Sequence, residues 1–279
     1  MTSPNIHLIS GIPRSGTTLS CSLINKYSGS VALHEPIQPK QITADSREAM
    51  ISLLERQLDT LWESFQTGNQ LDNGDTSLSV DNPVGSNEQN KLRTVTARRG
   101  KVSIGNDKSR TKLFVKQNAM FTALSEELSG RYQFTGIVRN PIDVFISWLA
   151  VDLPVNRGQL PAGEMLDGKL HKMLSSESST FKRQCIIYQW FIDQFESQKI
   201  QVVRYEDILN SQASALFDNL GIFKLQNANP QFKTANQPSS NILETIINNE
   251  SRIRMLNVSS FYSEEEISQR FEQIHSNVV

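Results

Sequence analysis

Short apolar runs alternate with longer amphipathic stretches along most of this chain. Runs with the length and composition of buried strands lie at 6–10, 113–115, 133–138 and 200–203. Apolar residues spaced three and four apart predict helices at 17–26, 46–65, 120–128, 141–148, 181–195, 208–220 and 263–274. Repeated alternation of strand and helix is typical of a parallel sheet with helices on both faces. The pattern therefore predicts a three-layer α/β/α fold with a central parallel sheet.

Two polar regions interrupt this alternation. The first, 66–112, is predicted as an inserted region, with a surface loop rich in Asn, Gly, Asp and Ser at 66–90 and a small hairpin at 93–104. The second, 152–180, contains two prolines and three glycines and is predicted as a loop region that covers the substrate. The remaining pattern is continuous, so we expect a single domain over 1–279.

Composition and charge limit the classes of partner that this protein is expected to bind. The chain has 279 residues with 28 Lys and Arg against 29 Asp and Glu, a net charge of −1, which argues against binding nucleic acid or an anionic membrane through a broad basic face. No run of about 18 apolar residues predicts a membrane span. Two cysteines give neither a disulfide scaffold nor a zinc motif, and 1–10 has no features of a signal peptide. We therefore expect a cytoplasmic protein that holds any anion in a local cluster.

The segment after the first strand has the features of a phosphate-binding loop. Gly11 and Gly16 have the spacing of such a loop, which directs backbone N–H groups at an anion beside a helix N-terminus. In a P-loop nucleotide hydrolase a lysine follows the second glycine, but Thr17 stands there, and the cation is Arg14 within the loop. No strand end supplies an Asp for magnesium. The alternative is a glycine turn with an incidental arginine.

The segment 13–18, Pro-Arg-Ser-Gly-Thr-Thr, resembles the 5′-phosphosulfate loop of the sulfotransferases that use 3′-phosphoadenosine-5′-phosphosulfate (PAPS). A second element is similar to the family's 3′-phosphate site, in which a strand ends in Arg139 and Ser147 follows on the next helix. The resemblance covers 6–35, 113–149 and 200–220. It implies a P-loop NTPase-like sulfotransferase fold, and it implies these cofactor-binding residues: Pro13, Arg14, Ser15, Gly16, Thr17, Thr18, Arg139 and Ser147. Lys233 is a weaker candidate, because the family's late Arg-Lys-Gly clamp has no clear counterpart.

The resemblance also implies catalytic roles. Arg14 and Lys116 would stabilise charge on the transferred group, although Lys116 could instead be a solvated residue at a strand end. Cytosolic members carry Lys-Thr-His where this chain has Lys-Gln-Asn at 116–118, so that histidine is absent. Other branches use a glutamate after the first helix. Glu35 is therefore the first choice for the general base and His34 the second; the alternatives are an ion pair between Glu35 and Arg14 and a buried structural His34.

The expected activity is transfer of a sulfuryl group from PAPS to a hydroxyl or amine of a small-molecule acceptor, such as a secondary metabolite, without a metal. Adenosine 3′,5′-bisphosphate (PAP) would be released. Two alternatives stay open: a degenerate P-loop nucleotide kinase or NTPase, and a non-catalytic nucleotide-binding module. Arg98 and Arg99 could meet an anionic acceptor or be solvated, and 204–207 is interpreted as scaffold. The sequence leaves monomer and homodimer equally open.

Overall fold

The computed structural model describes residues 5–80, 82–85, 92–104, 111–225, 229–232 and 237–276. Within these ranges the strands are β1 (Ile6–Gly11), β2 (Val31–His34), β3 (Leu71–Asn73), β4 (Val84–Gly85), β5 (Thr94–Val95), β6 (Gly100–Val102), β7 (Leu113–Lys116), β8 (Gln133–Val138) and β9 (Gln201–Arg204).

The helices of the same ranges are α1 (Thr17–Tyr27), α2 (Arg47–Thr67), α3 (Asn118–Ala123), α4 (Ser125–Leu128), α5 (Pro141–Leu149), α6 (Pro161–Leu166), α7 (Gly168–Ser176), α8 (Thr180–Ser197), α9 (Tyr205–Asn210), α10 (Ser214–Leu220), α11 (Ser240–Asn248), α12 (Glu250–Arg254) and α13 (Glu264–Ser276). Short 3-10 helices span Pro39–Ile42 and Pro154–Arg157. No helix in the described part of the chain combines the length and apolar character needed to cross a bilayer.

Five parallel strands form the central sheet in the order β2-β7-β1-β8-β9. Successive side chains of a strand point to opposite faces, and β1 divides accordingly: Leu8 packs into one apolar core and Ile9 into another. Helices α2, α3, α5 and α8 contribute to the first core, and α1 and α10 contribute to the second. The predicted three-layer α/β/α architecture is confirmed.

This strand order also fixes where a ligand can bind. From β1 the chain crosses to the edge strand β2, returns through β7 beside β1, and later continues to β8 on the opposite side of β1. The connection after β1 therefore runs toward the β2 edge of the sheet, whereas the connection after β8 runs toward the β9 edge. Open parallel sheets place their ligand crevices at such a switch point.

The inserted region differs from the expectation of a hairpin within 93–104. The structure instead pairs β5 with β4 and β6 with β3, in two antiparallel ribbons that reach back into the segment predicted as a loop. The β3–β6 register sets Leu71 opposite Val102, and both side chains are buried. Burial of these apolar residues favours the longer-range pairing over a local hairpin.

The prediction of a loop over 152–180 is wrong, because this region is largely helical. Pro154 and Pro161 lie at the first turns of helices, where proline needs no hydrogen-bonded N–H, so they begin helices here rather than excluding them. Asp167 caps α7 by accepting from the backbone N–H groups of Lys169 and Leu170. The region packs apolar side chains, including Leu170, into the first core.

Several predicted boundaries also change. The helix predicted at 208–220 is two helices, α9 and α10, separated where Gln212 and Ala213 adopt positive φ of 51° and 71°. The helix predicted at 120–128 is likewise divided into α3 and α4 at Leu124. At α13 the predicted capping box is confirmed: the backbone N–H of Glu266 donates to Ser263 Oγ, and that of Ser263 donates to Glu266 Oε2.

Candidate active site

The loop between β1 and α1 depends on its two glycines. A Cβ at Gly11 would lie 2.5 Å from the carbonyl oxygen of Ile137 and 2.6 Å from Thr17 Cγ2. Gly16 has φ +90°, and a Cβ there would lie 2.4 Å from Tyr205 Cδ2. Both positions therefore exclude larger residues, one because of a neighbouring strand and one because of strain and an aromatic ring.

Hydrogen bonds fix this loop to β8 and α5. The Ser15 hydroxyl donates to the carbonyl of Ile137 at 2.8 Å, and the Trp148 indole donates to the carbonyl of Pro13 at 2.7 Å. The backbone N–H of Ser15 donates to the carbonyl of Ile12 at 3.0 Å. Both donors of Ser15 therefore bond within the protein, so this residue stabilises the conformation of the loop. Helix α1 begins directly after this loop, at Thr17, and the first N–H groups of a helix have no partner within it.

Arg14 also adopts a positive φ, 72°, and its guanidinium bonds to side chains of α5 and of the inserted region. Its Nε donates to Ser147 Oγ at 3.3 Å, and both terminal nitrogens donate to Asn82 Oδ1 at 3.2 Å. Burial above all, and then the charges of Arg93 and Arg139, lower the pKa of Arg14 to about 10. Arg14 therefore stays a cation at neutral pH, although like charges surround it.

Arg139 lies directly after β8 and approaches the same loop. One terminal nitrogen donates to the carbonyl of Arg14 at 3.4 Å, and the guanidinium stacks over the ring of Tyr205 with 4.6 Å to its centroid. Its Nε is buried and has no hydrogen-bond partner among the described residues. A buried guanidinium N–H without a partner is unusual, and it marks a donor available to an anion in the crevice.

A buried polar network holds the backbone around Arg139. The Tyr188 hydroxyl donates to the carbonyl of Arg139 at 2.7 Å. Glu206 accepts from the backbone N–H of Asn140 at 2.9 Å and from the Tyr262 hydroxyl at 2.8 Å. Glu206 therefore serves as scaffold, as we interpret 204–207 from sequence. Tyr205 from the same segment lines the site itself, which the sequence interpretation missed.

The second half of the site forms where β2 and β7 are neighbours. Their register sets His34 opposite Lys116, and the backbone N–H of Glu35 donates to the carbonyl of Lys116 at 2.8 Å. The Lys116 ammonium donates to Glu35 Oε1 at 2.7 Å and lies 3.2 Å from His34 Nδ1. Thr18 Oγ1, from the start of α1, lies 3.5 Å from the same His34 nitrogen. The partner of Glu35 is thus Lys116, whereas the sequence alternative was Arg14.

Charge and burial are unevenly distributed in this cluster. The Lys116 side chain is 2% exposed and that of Glu35 is 42% exposed. Burial by itself raises the pKa of Glu35, but the charge of Lys116 above all outweighs burial and the pKa falls to about 2. Burial, followed by the charge of Lys116, lowers the pKa of His34 to about 4. At neutral pH Glu35 is therefore a carboxylate and His34 a neutral imidazole.

Arg99, from the inserted region, holds the backbone at Glu35. The two terminal nitrogens of Arg99 donate to the carbonyls of Pro36 at 2.8 Å and Glu35 at 2.7 Å, where Glu35 has a positive φ of 46°. Arg98 is exposed, and its backbone N–H donates to Asp75 Oδ2. The sequence left two alternatives for both arginines: contact with an anionic acceptor substrate, or exposure to solvent. The structure instead uses Arg99 to fix the backbone that carries Glu35, a role with no local sequence signal.

The structure brings most of the predicted site residues to one crevice at the carboxyl ends of β1, β7, β8 and β2. Arg14, Ser147 and Arg139 meet on one side of the loop, and Thr18, His34, Glu35 and Lys116 meet on the other. Lys233 lies outside the described residues. Among the described residues, no three His, Cys, Asp or Glu side chains form a group that could hold a metal ion.

Comparison with known proteins gives one fold-level likeness. No protein-family model matches the chain, and no curated protein matches it in sequence. A solved sulfotransferase from Alicyclobacillus acidocaldarius is similar over 98% of this chain and 97% of its own, with 12% sequence identity and a TM-score of 0.46. At that identity and score the likeness carries no weight for activity, which has to be inferred from the site.

Proposed function

We propose that this protein transfers a sulfuryl group from PAPS to a hydroxyl or amine of a small-molecule acceptor and releases PAP. The observation that carries the proposal is the Pro-Arg-Ser-Gly-Thr-Thr loop at the end of β1, facing Arg139 across the crevice. Neither Arg14 nor Arg139 has a carboxylate partner among the described residues, so the crevice is cationic despite the balanced net charge of the chain.

The donor groups present suit a nucleotide with phosphates at two ends. PAPS would supply the sulfuryl group, whose bond to the 5′-phosphate oxygen breaks as the acceptor atom bonds to sulfur. Thr17, Thr18 and the N–H groups at the start of α1 would hold the 5′ side, since a helix N-terminus favours an anion. Arg139, with its unpartnered Nε, and Ser147 would hold the 3′-phosphate, for which a planar guanidinium is well suited.

Arg14 and Lys116 would stabilise negative charge on the transferred group. Both are cations close to the loop, and Lys116 is almost fully buried, where electrostatic interactions are strong. Sulfuryl transfer, like phosphoryl transfer, depends mainly on positioning and charge stabilisation. These two side chains together with the loop would provide both.

Glu35 is the better placed of the two base candidates. Its carboxylate is substantially exposed on the crevice side, whereas the His34 ring presents Nδ1 to Lys116 and its opposite edge lies against Gly74. A carboxylate with a pKa near 2 accepts protons poorly. Movement of the Lys116 ammonium toward an anionic sulfuryl group would remove the main charge that lowers this pKa. Proton acceptance by Glu35 would then depend on the bound co-substrate.

Ligand binding tests the class of activity. We expect PAP to raise the melting temperature of the protein without added metal, and ATP with magnesium to do so much less. Stabilisation by ATP with magnesium alone would refute the proposal and favour a nucleotide kinase or NTPase. Stabilisation by PAP without turnover of any acceptor, in a mass-spectrometric screen with PAPS, would favour a nucleotide-binding module.

Two variants test the base. Glu35→Gln should lower kcat by about 10²- to 10⁴-fold while PAP affinity is retained, because removal of a general base affects the reaction more than binding. His34→Asn keeps an acceptor for Lys116 and should stay within about tenfold of the wild type. Glu63→Gln, on the exposed face of α2, is the matched control. Full activity in Glu35→Gln would refute its assignment.

A further inference from the structure

Three arginines at the crevice differ from the described arginines that pair with acids. Six arginines of the described chain form ion pairs with carboxylates: Arg47, Arg131, Arg157, Arg204, Arg254 and Arg270. Arg14, Arg139 and Arg93 have no such partner within the described ranges, although all three are only partly exposed. Unpaired cations gathered away from solvent are costly unless an anion joins them.

Arg93 comes from the inserted region and is fixed to the site by its backbone. Its N–H donates to the carbonyl of Ala150 at 3.1 Å, and its carbonyl accepts from the N–H of Asp152 at 2.8 Å. These bonds form a parallel bridge to Val151, immediately after α5. Ser147 lies on the last turn of the same helix and contacts Arg14. The tertiary structure therefore anchors Arg93 beside the proposed 3′-phosphate residues.

Among the described residues, no carboxylate compensates the charge of Arg93. Asp152, the nearest carboxylate to its backbone anchor, bonds to Arg157 at 2.6 Å. Burial lowers the pKa of Arg93, and the charge of Arg139 lowers it further. The charge of Arg93 in turn lowers the pKa of Arg14. The three cations thus repel one another, and a dianion between them would relieve that repulsion.

We propose that Arg93 is an additional ligand for a phosphate-type dianion held with Arg139 and Ser147. If the function proposed above holds, this dianion is the 3′-phosphate of PAPS. The chemistry is that of a guanidinium fork donating to phosphate oxygens, and it employs the one donor of Arg139 that is buried without a partner. The inserted region would then contribute directly to co-substrate binding.

Calorimetry with PAP and with AMP, which lacks the 3′-phosphate, tests this role. Arg93→Gln should weaken PAP binding by about 10- to 100-fold, the usual effect of losing a hydrogen bond to a charged group, and change AMP binding by less than about twofold. Arg93→Lys, which keeps the charge, should fall between. Arg98→Gln, an exposed arginine of the same inserted region, is the control and should bind PAP like the wild type.

Other outcomes overturn the inference or separate it from the proposed function. Unchanged PAP affinity in a folded Arg93→Gln variant, with a raised KM for the acceptor, would assign Arg93 to an anionic acceptor instead. Equal losses for PAP and AMP would indicate a structural role. If the wild type binds no PAP, the proposed function fails, and thermal shift with inorganic phosphate decides on Arg93. Stabilisation by phosphate that Arg93→Gln abolishes supports the dianion site, and equal stabilisation of both proteins refutes it.

Discussion

The ion pair between Lys116 and Glu35 is asymmetric, and this asymmetry predicts unequal effects of removing either partner. The Lys116 side chain is 2% exposed and the Glu35 side chain 42% exposed, with 2.7 Å between the paired atoms. Removing the Glu35 carboxylate leaves a buried ammonium, whereas removing the Lys116 ammonium leaves a carboxylate that water can reach. Breaking a buried pair from one side typically costs about 3–5 kcal/mol, because the remaining charge is uncompensated.

We therefore expect Glu35→Gln to lower the free energy of unfolding by about 2–3 kcal/mol. The value lies below the usual range because the Gln oxygen and His34 Nδ1, 3.2 Å from the ammonium, still accept hydrogen bonds. Lys116→Met replaces the buried stem with an apolar one of similar volume and leaves Glu35 hydrated. Its effect should stay below about 1 kcal/mol.

Urea denaturation at pH 7 measures both values, with Glu55→Gln as a control. Glu55 pairs with Arg131 on the surface, and loss of that exposed pair should change stability by less than about 1 kcal/mol. A Lys116→Met variant as destabilised as Glu35→Gln would refute the reasoning, because it would show that the carboxylate also depends on its partner for solvation.

Two further predictions concern the loop and the sheet. Gly16→Ala should weaken PAP binding at least tenfold and lower the free energy of unfolding by at least about 1–2 kcal/mol, because an alanine at φ +90° is strained and Tyr205 blocks its Cβ. Gly130→Ala is the control, since a Cβ there meets no atom within 4 Å. Equal effects of the two substitutions would contradict the role given to Gly16. Burial above all lowers the pKa of His7 to about 4 from 6.5. Between these values the unfolded chain binds a proton that the native state does not, so the free energy of unfolding falls as pH drops below about 6.5, and at pH 5 the loss is about 2 kcal/mol. His7→Gln should flatten the fall in unfolding free energy between pH 7 and pH 5 by about that amount, and an unchanged slope in urea titrations would exclude His7 as its source.

Local chemistry explains which predictions from sequence succeed. The strand–loop–helix at 6–26 depends on contiguous residues: a buried strand, two glycines in positions that exclude a Cβ, and an amphipathic helix. Arg139 is predictable because it directly follows an apolar strand. The position of Ser147 follows from helical spacing after Pro141.

Other features required contacts between distant segments. Strand β2 is only four residues long and is extended because it pairs with β7. This pairing brings Lys116 to Glu35 and His34. The prolines of 152–180 mark helix starts only because the apolar side chains that follow are buried in the core. The inserted strands likewise pair with distant segments, because this buries Leu71 against Val102.

The sequence by itself therefore determined the layered α/β architecture, the glycine loop after β1 and the positions of Arg14 and Arg139 at strand ends, since each follows from residues adjacent in the chain. Tertiary structure alone decided the partner of Glu35, the support given by Arg99, and the position of Arg93 beside α5. The fold brings the charges of Arg14, Arg93 and Arg139 together, with no carboxylate among the described residues paired to them. That arrangement depends on strand register and on loop anchoring, and neither can be read from local spacing.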